Sequence, residues 1–391
     1  MPDGKDPDGK DIVTVKVMPG IGAIDAAAWD ACAGEENPFL SHAFLKALED
    51  SGSCRAATGW QPQHLALEAP DGSVMGAVPL YLKNHSYGEY VFDHAWAHAY
   101  ERAGGSYYPK LQAAVPFTPV TGPRLLLRPD APDGAAQALV AAMEQLALRH
   151  QVSSVHVTFP TETDWNTLGD AGWLQRVGQQ YHWENRGYGS FDDFLGDLNS
   201  RKRKSIRKER REVAETGVKI HTLTGDDLRQ EHWDVFYKFY MDTSDRKWGS
   251  AYLNRKFFRL LGETMADRVV LILVEDNGEW VAGALNLLGA DTLYGRNWGC
   301  NATYKHLHFE ACYYRAIDFA IERGLSRVEA GAQGQHKIQR GYLPTPTYSA
   351  HWIRDPGFRS AIDDYLRRER VAVAQDIDAL MDDSPFRQEN R

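Results

Sequence analysis

With 391 residues, 43% of them hydrophobic and 25% charged, the chain has the make-up of a folded soluble protein and more length than a single-domain core usually needs, so two domains are expected. The net charge of −9 excludes a generally basic chain, and Cys32, Cys54, Cys300 and Cys312 are scattered without the C-x-x-C spacing of a zinc site or the pattern of a disulfide framework. No apolar run reaches the roughly 18 to 20 residues that cross a bilayer, so a cytoplasmic protein is expected, with contact at the inner face of the membrane left open.

The first residues, MPDGKDPDGKD over 1–11, read as a polar tail without the apolar core of a signal peptide. A strand is expected over Ile12 to Val17, a helix over Asp25 to Ala31, and a second helix capped by Ser41 ahead of Leu45 and Leu48. A meander follows: His64 to Glu68, a turn at Pro70-Asp-Gly-Ser, Val74 to Leu82, and a third strand over Tyr87 to Trp96. Phe92 to His98, Gly104 to Lys110 and Val115 to Arg124 are dense in aromatics, glycine and proline, a composition that builds rigid irregular walls. One reading makes them a binding groove in which Tyr107 and Tyr108 line the wall and Lys110 and Arg124 hold an anion; the other makes the aromatics the packing of the seam between two domains. The helix Ala135 to His150 then leads into a strand over Ser153 to Thr158.

Eight of the eleven residues from Arg201 to Arg211 are basic. Helical spacing places Lys204, Lys208 and Arg211 on one face and Arg203, Arg207 and Arg210 on an adjoining one. Such density attracts the phosphates of RNA, a nucleotide-sugar or an anionic lipid headgroup, whereas the bland reading is a solvated face balanced by Glu209, Glu212 and Glu215. His221-Thr-Leu-Thr-Gly-Asp226 fits an H-x4-D pattern, but with 14 histidines one such match is expected by chance.

A second meander runs through Val269 to Glu275, the turn Asp276-Asn-Gly, Trp280 to Leu288 and Thr292 to Trp298. Glu275, Gly283, Ala284 and Leu287 repeat Glu68, Gly76, Ala77 and Leu80 at one constant offset, the mark of an internal duplication. In each copy a helix and a further strand follow, which predicts an α+β fold with mixed sheets and a boundary near residue 190. The second copy ends in the helix Phe309 to Arg323, closed by Gly324, the strand Ser326 to Ala330 and the glycine-loosened loop Gly331 to Lys337. Here polar groups converge: Arg296, Trp298, His306, His308, Glu310, Glu329, Gln333, Gln335, His336, Lys337, Arg340 and Tyr342. His308 and Glu310 fall at the mouth of the helix, and with His336 they are the groups able to take a proton from an attacking ammonium. No P-loop, G-x-S-x-G elbow or H-E-x-x-H is present, and no metal ligand set is visible.

Ala99-Tyr-Glu-Arg, Tyr107-Tyr-Pro-Lys-Leu, Val115-Pro-Phe-Thr-Pro-Val-Thr-Gly-Pro-Arg-Leu and Glu329-Ala-Gly-Ala-Gln-Gly-Gln-His-Lys-Ile-Gln-Arg-Gly-Tyr together resemble the FemAB-like "peptidoglycan biosynthesis" group of the GNAT acyltransferase superfamily. The resemblance extends from about Asn37 to Arg370. It implies two tandem GNAT-like domains, here 12–190 and 191–391, with the basic segment 198–216 as the entry helix of the second. It also implies formation of an amide bond, with an activated acyl or aminoacyl group passing to an amine of a cell-envelope precursor, either a peptidoglycan peptide or a lipid such as a sphingoid base. The donor would be acyl-CoA, an acyl-carrier protein or aminoacyl-tRNA, and neither DNA nor a metal is expected. The chain departs from the pattern at Gly299 to His306, which lacks the glycine turn that cradles a coenzyme A pyrophosphate. It departs again between Arg201 and Gly217, too short for the helical hairpin of some tRNA-using relatives. The competing expectation is a binding module that keeps the duplicated fold without the chemistry.

Overall fold

The computed structural model describes residues 14–247, 251–301, 303–331 and 334–387, so the expected tail over 1–11 and Gln333 lie outside the described residues. The chain forms two compact units, Met1–Gly178 with Thr347–Val373 and Gln179–Pro346 with Ala374–Arg391. They are not consecutive halves. The single cut expected near residue 190 is corrected in this respect: the chain returns to its first unit at Thr347.

The first unit holds an antiparallel sheet in the order Thr14–Met18, His64–Glu68, Val74–Val78, Leu126–Leu127. Its second layer of strands runs Trp60–Pro62, Leu80–Lys83, Lys110–Ala113, Ser154–Thr158, and then residues 349–353 of the returning chain. The helix Ala135–His150 follows from its apolar spacing: Leu139, Val140, Met143, Leu146 and Ala147 are all buried, against Leu65, Leu67, Val78, Leu111, Val155 and Val157. Each fully buried side chain of leucine size stabilises by about 1.5–3 kcal/mol relative to exposure, so this face anchors the unit. The hairpin turn needs Gly72, whose φ of 86° suits glycine, while Asp71 accepts from the Ser73 amide.

The strand expected over Tyr87 to Trp96 does not form. In its place stands an irregular loop followed by the helix His94–Arg102. Lys83 donates to the Tyr87 carbonyl (3.2 Å) and Lys110 donates to Ser86, Glu89 and Asp93, so the loop is held by side-chain ammonium groups and not by a ladder. Hydrogen bonding to buried ammonium groups has overridden the strand propensity of an aromatic run.

In the second unit the order is Lys219–Thr224, Val269–Asp276, Glu279–Leu288, Thr292–Cys300, Arg327–Glu329, and then residues 179–184 of the strand Leu174–Glu184. All pairs are antiparallel except Thr292–Cys300 with Arg327–Glu329. Val269 through Val274 are continuously buried, as expected of a strand covered on both faces. The helix Gln230–Lys247 covers one face so closely that a Cβ at Gly299 would collide with the Phe239 carbonyl. On the other face Ala316, Ile317 and Ala320 of the helix Arg315–Glu322 pack on Leu293 and Val328.

The predicted helix over Phe309 to Arg323 is present but interrupted. Leu307–Phe309 is α-helical, Glu310–Tyr314 is a π-helix, and Arg315–Glu322 is α-helical again, ending at Gly324 with φ of 66°. The loop expected over Gly331 to Lys337 gives way to a 3-10 helix, Gln335–Arg340. Both hairpins that carry the repeat shift register at the matching glutamates, between Leu67 and Glu68 and between Val274 and Glu275. Among the described residues no helix is long and apolar enough to cross a membrane.

Candidate active site

The strand Thr292–Cys300 pairs with Glu279–Leu288 along its whole length, but with its parallel neighbour only at Thr292–Arg327, Leu293–Val328 and Tyr294–Glu329. Beyond Tyr294 the pairing with Arg327–Glu329 ends, and this fork leaves one arm running on to Cys300 with no ladder partner on that side among the described residues. Arg296 is the extra residue of a bulge, since Leu285 faces Asn297 and Asn286 faces Gly295. Bulges re-aim side chains and free backbone groups beside active sites, and this one lies just past the fork.

The π segment and the 3-10 helix build a wall along the arm. The His308 ring lies 5.4 Å from Trp298 and 5.3 Å from Tyr313. Tyr313 Oη is 3.0 Å from His336 Nε2, and His336 stands 5.7 Å from Phe309. The Arg340 guanidinium sits 3.4 Å over the Phe309 ring, donates to both carboxylate oxygens of Glu209, and reaches the His336 carbonyl at 2.8 Å. Partial burial, followed by the charges of Arg340 and Lys337, lowers the His336 pKa, which keeps the imidazole neutral and able to accept a proton at neutral pH.

Glu310 is held differently. It is buried, and its Oε1 accepts from Arg210 (3.1 Å) and Arg315 (3.0 Å), while Asp318 also accepts from Arg210. Two guanidiniums grip this one carboxylate oxygen, so its position argues for anchoring the π segment. Lys337 is buried, donates to the Ala330 and Gly331 carbonyls, and is drawn down to about 8 by burial. Tyr342 is fully buried and donates to the Tyr313 carbonyl, whereas Gln335 is exposed beside His336. Thus His308, Glu310, Trp298, His336, Lys337, Arg340 and Tyr342 gather around one wall, with Arg296 at the bulge.

The first-unit candidates lie elsewhere and differently from expectation. Lys110 is fully buried, bonded to Ser86 (2.8 Å), Glu89 (2.7 Å) and Asp93. Tyr107 is also buried and donates to Asp93 at 2.7 Å, while Tyr108 Oη meets Ser86 at 2.9 Å. Arg124 spends its guanidinium on the carbonyls of Val120, Gly122, Pro123 and Thr158. The anion site expected of Lys110 and Arg124 is therefore corrected: their donors are committed to interior acceptors, and releasing them would leave buried polar groups unpaired. Burial pushes Glu89 up to about 7 and draws Lys83 down to about 7.

The basic segment forms the helix Ser200–Glu215, seated by Ile206 and Val213. Arg207 pairs with Asp192 (2.8 Å), Lys208 with Glu212 (3.6 Å) and Arg211 with Glu215 (3.6 Å), and among the described residues Arg203 and Lys204 have no ion-pair partner. Sequence reasoning missed the inward-facing role of Glu209 and Arg210, and it missed Tyr313, Arg315 and Asp318 altogether. Only the i, i+5 closeness of Glu310 and Arg315 gave a local cue; Arg210 meets Glu310 across 100 residues of sequence. Among the described residues no three His, Cys, Asp or Glu side chains gather as a metal site.

A family model described as FemAB-like, peptidoglycan biosynthesis/recognition, matches residues 20–388. Three solved structures are similar in fold. FemX has a TM-score of 0.54 at 12% identity, covering 87% of this chain and 98% of that one. A conserved protein of unknown function from Bacteroides thetaiotaomicron VPI-5482 has a TM-score of 0.51 at 11% identity, covering 88% and 100%. L-PGS from Bacillus licheniformis has a TM-score of 0.50 at 11% identity, covering 85% and 98%. No curated protein matches the chain. The fold is α+β in two compact units, and it is the fold of these three structures.

Proposed function

The chain belongs to the FemAB-like family, and from that premise we propose that it is an N-acyltransferase, joining an activated acyl or aminoacyl group to an amine of a cell-envelope precursor. The observation that carries the reading is the fork: a strand edge beyond Tyr294, bulged at Arg296, beside a wall of His308, Tyr313, His336 and Arg340. In this reading the donor carbonyl rests at the fork, where backbone N–H groups of the open arm stabilise the oxyanion as nitrogen attacks. The N–C bond forms as the C–S or C–O bond to the donor breaks. One proton of the ammonium leaves before attack and a second passes to the leaving sulfur or oxygen, the latter through the neutral His336 or through His308. Trp298, Gln335 and Arg340 line the donor's path, and Arg203, Lys204, Arg207 and Lys208 attract a phosphate-bearing substrate or an anionic membrane surface.

The test incubates the purified protein with acyl-CoA, acyl-carrier-protein and aminoacyl-tRNA donors against peptidoglycan-precursor and long-chain amines, with mass spectrometry of the products. Amide from any pairing supports the assignment, and the productive donor identifies the subclass. Binding of an amine without product from any donor would return the protein to a recognition module.

A further inference from the structure

Glu329 lies at the last rung before the strands part, directly opposite Tyr294 on one side and His182 on the other. Residues opposite one another in a ladder share a face, and adjacent residues alternate. Val328, one residue earlier, packs with Trp183 and Leu293 under the helix Arg315–Glu322, so Glu329, His182 and Tyr294 occupy the face away from the His308–His336 wall. Both acid–base groups of this row are buried, Glu329 to 5% exposure and His182 to 3%. Glu329 Oε2 and His182 Nδ1 have no hydrogen-bond partner among the described residues, and Glu329 Oε1 stands 3.9 Å from His182 Nε2. An unpartnered carboxylate oxygen costs free energy in an interior; Glu89, Asp93 and Glu310 carry one as well but are gripped by ammonium or guanidinium groups, so it is the placement of Glu329 where a ladder ends that marks a group kept for use.

We propose that Glu329 takes the proton from the attacking amine, on the sheet face opposite the wall that serves the leaving group. This rests on the transferase reading above. The step balances simply: R–NH3+ gives one proton to the Glu329 carboxylate, the freed nitrogen attacks the acyl carbon, and its second proton leaves with the departing thiol or hydroxyl. The neutral Glu329 carboxyl then returns its proton to solvent. Charged and titratable neighbours come from each strand of the row: Arg296 and Asp291 with Tyr294, Arg327, and Glu184 with His182. Arg327 is tied to Glu184 at 2.7 Å. Burial outweighs these charges and raises the Glu329 carboxyl to about 8, which matches a base working near neutral pH.

The decisive variant is Glu329→Gln, nearly isosteric and unable to accept the proton. Its kcat at pH 7 is expected to fall about 10²- to 10⁴-fold with KM unchanged, and the rise of kcat/KM near pH 8 in the parent should vanish. A merely structural glutamate would leave the pH profile in place. Infrared difference titration of the parent against Glu329→Gln separates this carboxyl from other buried ones such as Glu89: the Glu329 band should titrate where kcat/KM rises. Parental kcat and profile in Glu329→Gln, or a carboxyl titrating away from that rise, overturns the assignment while leaving the transferase standing. If the parent forms no amide with any donor, the transferase reading fails and this role falls with it.

Discussion

Lys110 and Glu329 show how burial decides what a charged residue does. Lys110 sits on an interior strand with two carboxylates, so Lys110→Met should leave Glu89 and Asp93 buried without their ammonium and cost about 3–5 kcal/mol in chemical denaturation, while KM for an anionic acceptor stays unchanged. Retained stability with a raised KM would restore the anion-binding role. Burial raises the Glu329 carboxyl from the ordinary glutamate value of 4.5 to about 8 in the folded protein. A raised carboxyl contributes stability that is fully present below pH 4.5 and lost as pH climbs through 8, because the unfolded chain gives up its proton first. Glu329→Gln should therefore gain on the parent in Tm from pH 5 to pH 9; parallel Tm curves would refute this. The sequence made His308, His336 and Arg340 visible because they lie in one polar stretch around glycines. It concealed the interior placement of Lys110, whose partners come from a loop that reads as a strand, and the tie of Arg340 to Glu209 across 131 residues.

Among the elements, the helix before Gly324 was legible from its apolar stripe and its glycine stop. The π segment inside it was not, since one extra residue per turn leaves the composition unchanged and is held by the distant Arg210. Arg210→Met removes the guanidinium that ties Glu310 and Asp318, so the turn carrying His308 should lose its anchor and shift relative to Trp298. Loss of about 10²-fold in kcat/KM in a variant with parental circular dichroism is expected, since small misplacements cost that much. The basic helix makes a separate prediction. Replacing Arg203, Lys204, Arg207 and Lys208 by alanine spares its buried anchors Ile206 and Val213, so the fold should hold while binding to anionic vesicles and its steep fall with salt disappear. Salt-independent binding in the parent would make this helix a solvated surface. The paired hairpins keep their glutamates and glycines at one spacing in sequence and both shift register at the glutamate, yet Gly76 faces Leu67 whereas Gly283 faces Leu273, so the two ladders differ by one residue, which spacing alone did not reveal.

At the scale of the whole molecule, the α+β architecture could be read from the order of elements, but the route of the chain could not. Periodicity identifies a strand without saying which sheet it joins, and the strand Leu343–Ile353 reads the same whether it closes the second unit or returns to the first. Residues 1–190 expressed alone should accordingly fail to fold, because Ser154–Thr158 loses its partner Ser349–Ile353 and His156 loses His351, whose Nδ1 lies 2.7 Å away. A protease-resistant 1–190 fragment with a cooperative melt would contradict this. The return also bears on how the protein is made. His351 follows His156 by 195 residues, and a ribosome adding about 5–20 residues per second needs roughly 10–40 s to cover that distance. Throughout that interval the nascent first unit carries an unpaired strand edge, the kind of surface that chaperones occupy and that recruits the wrong partners. The unit translated first is thus completed only after residues 179–346 of the second have been made, and the yield of active protein in the cell should depend on who guards that edge in the meantime.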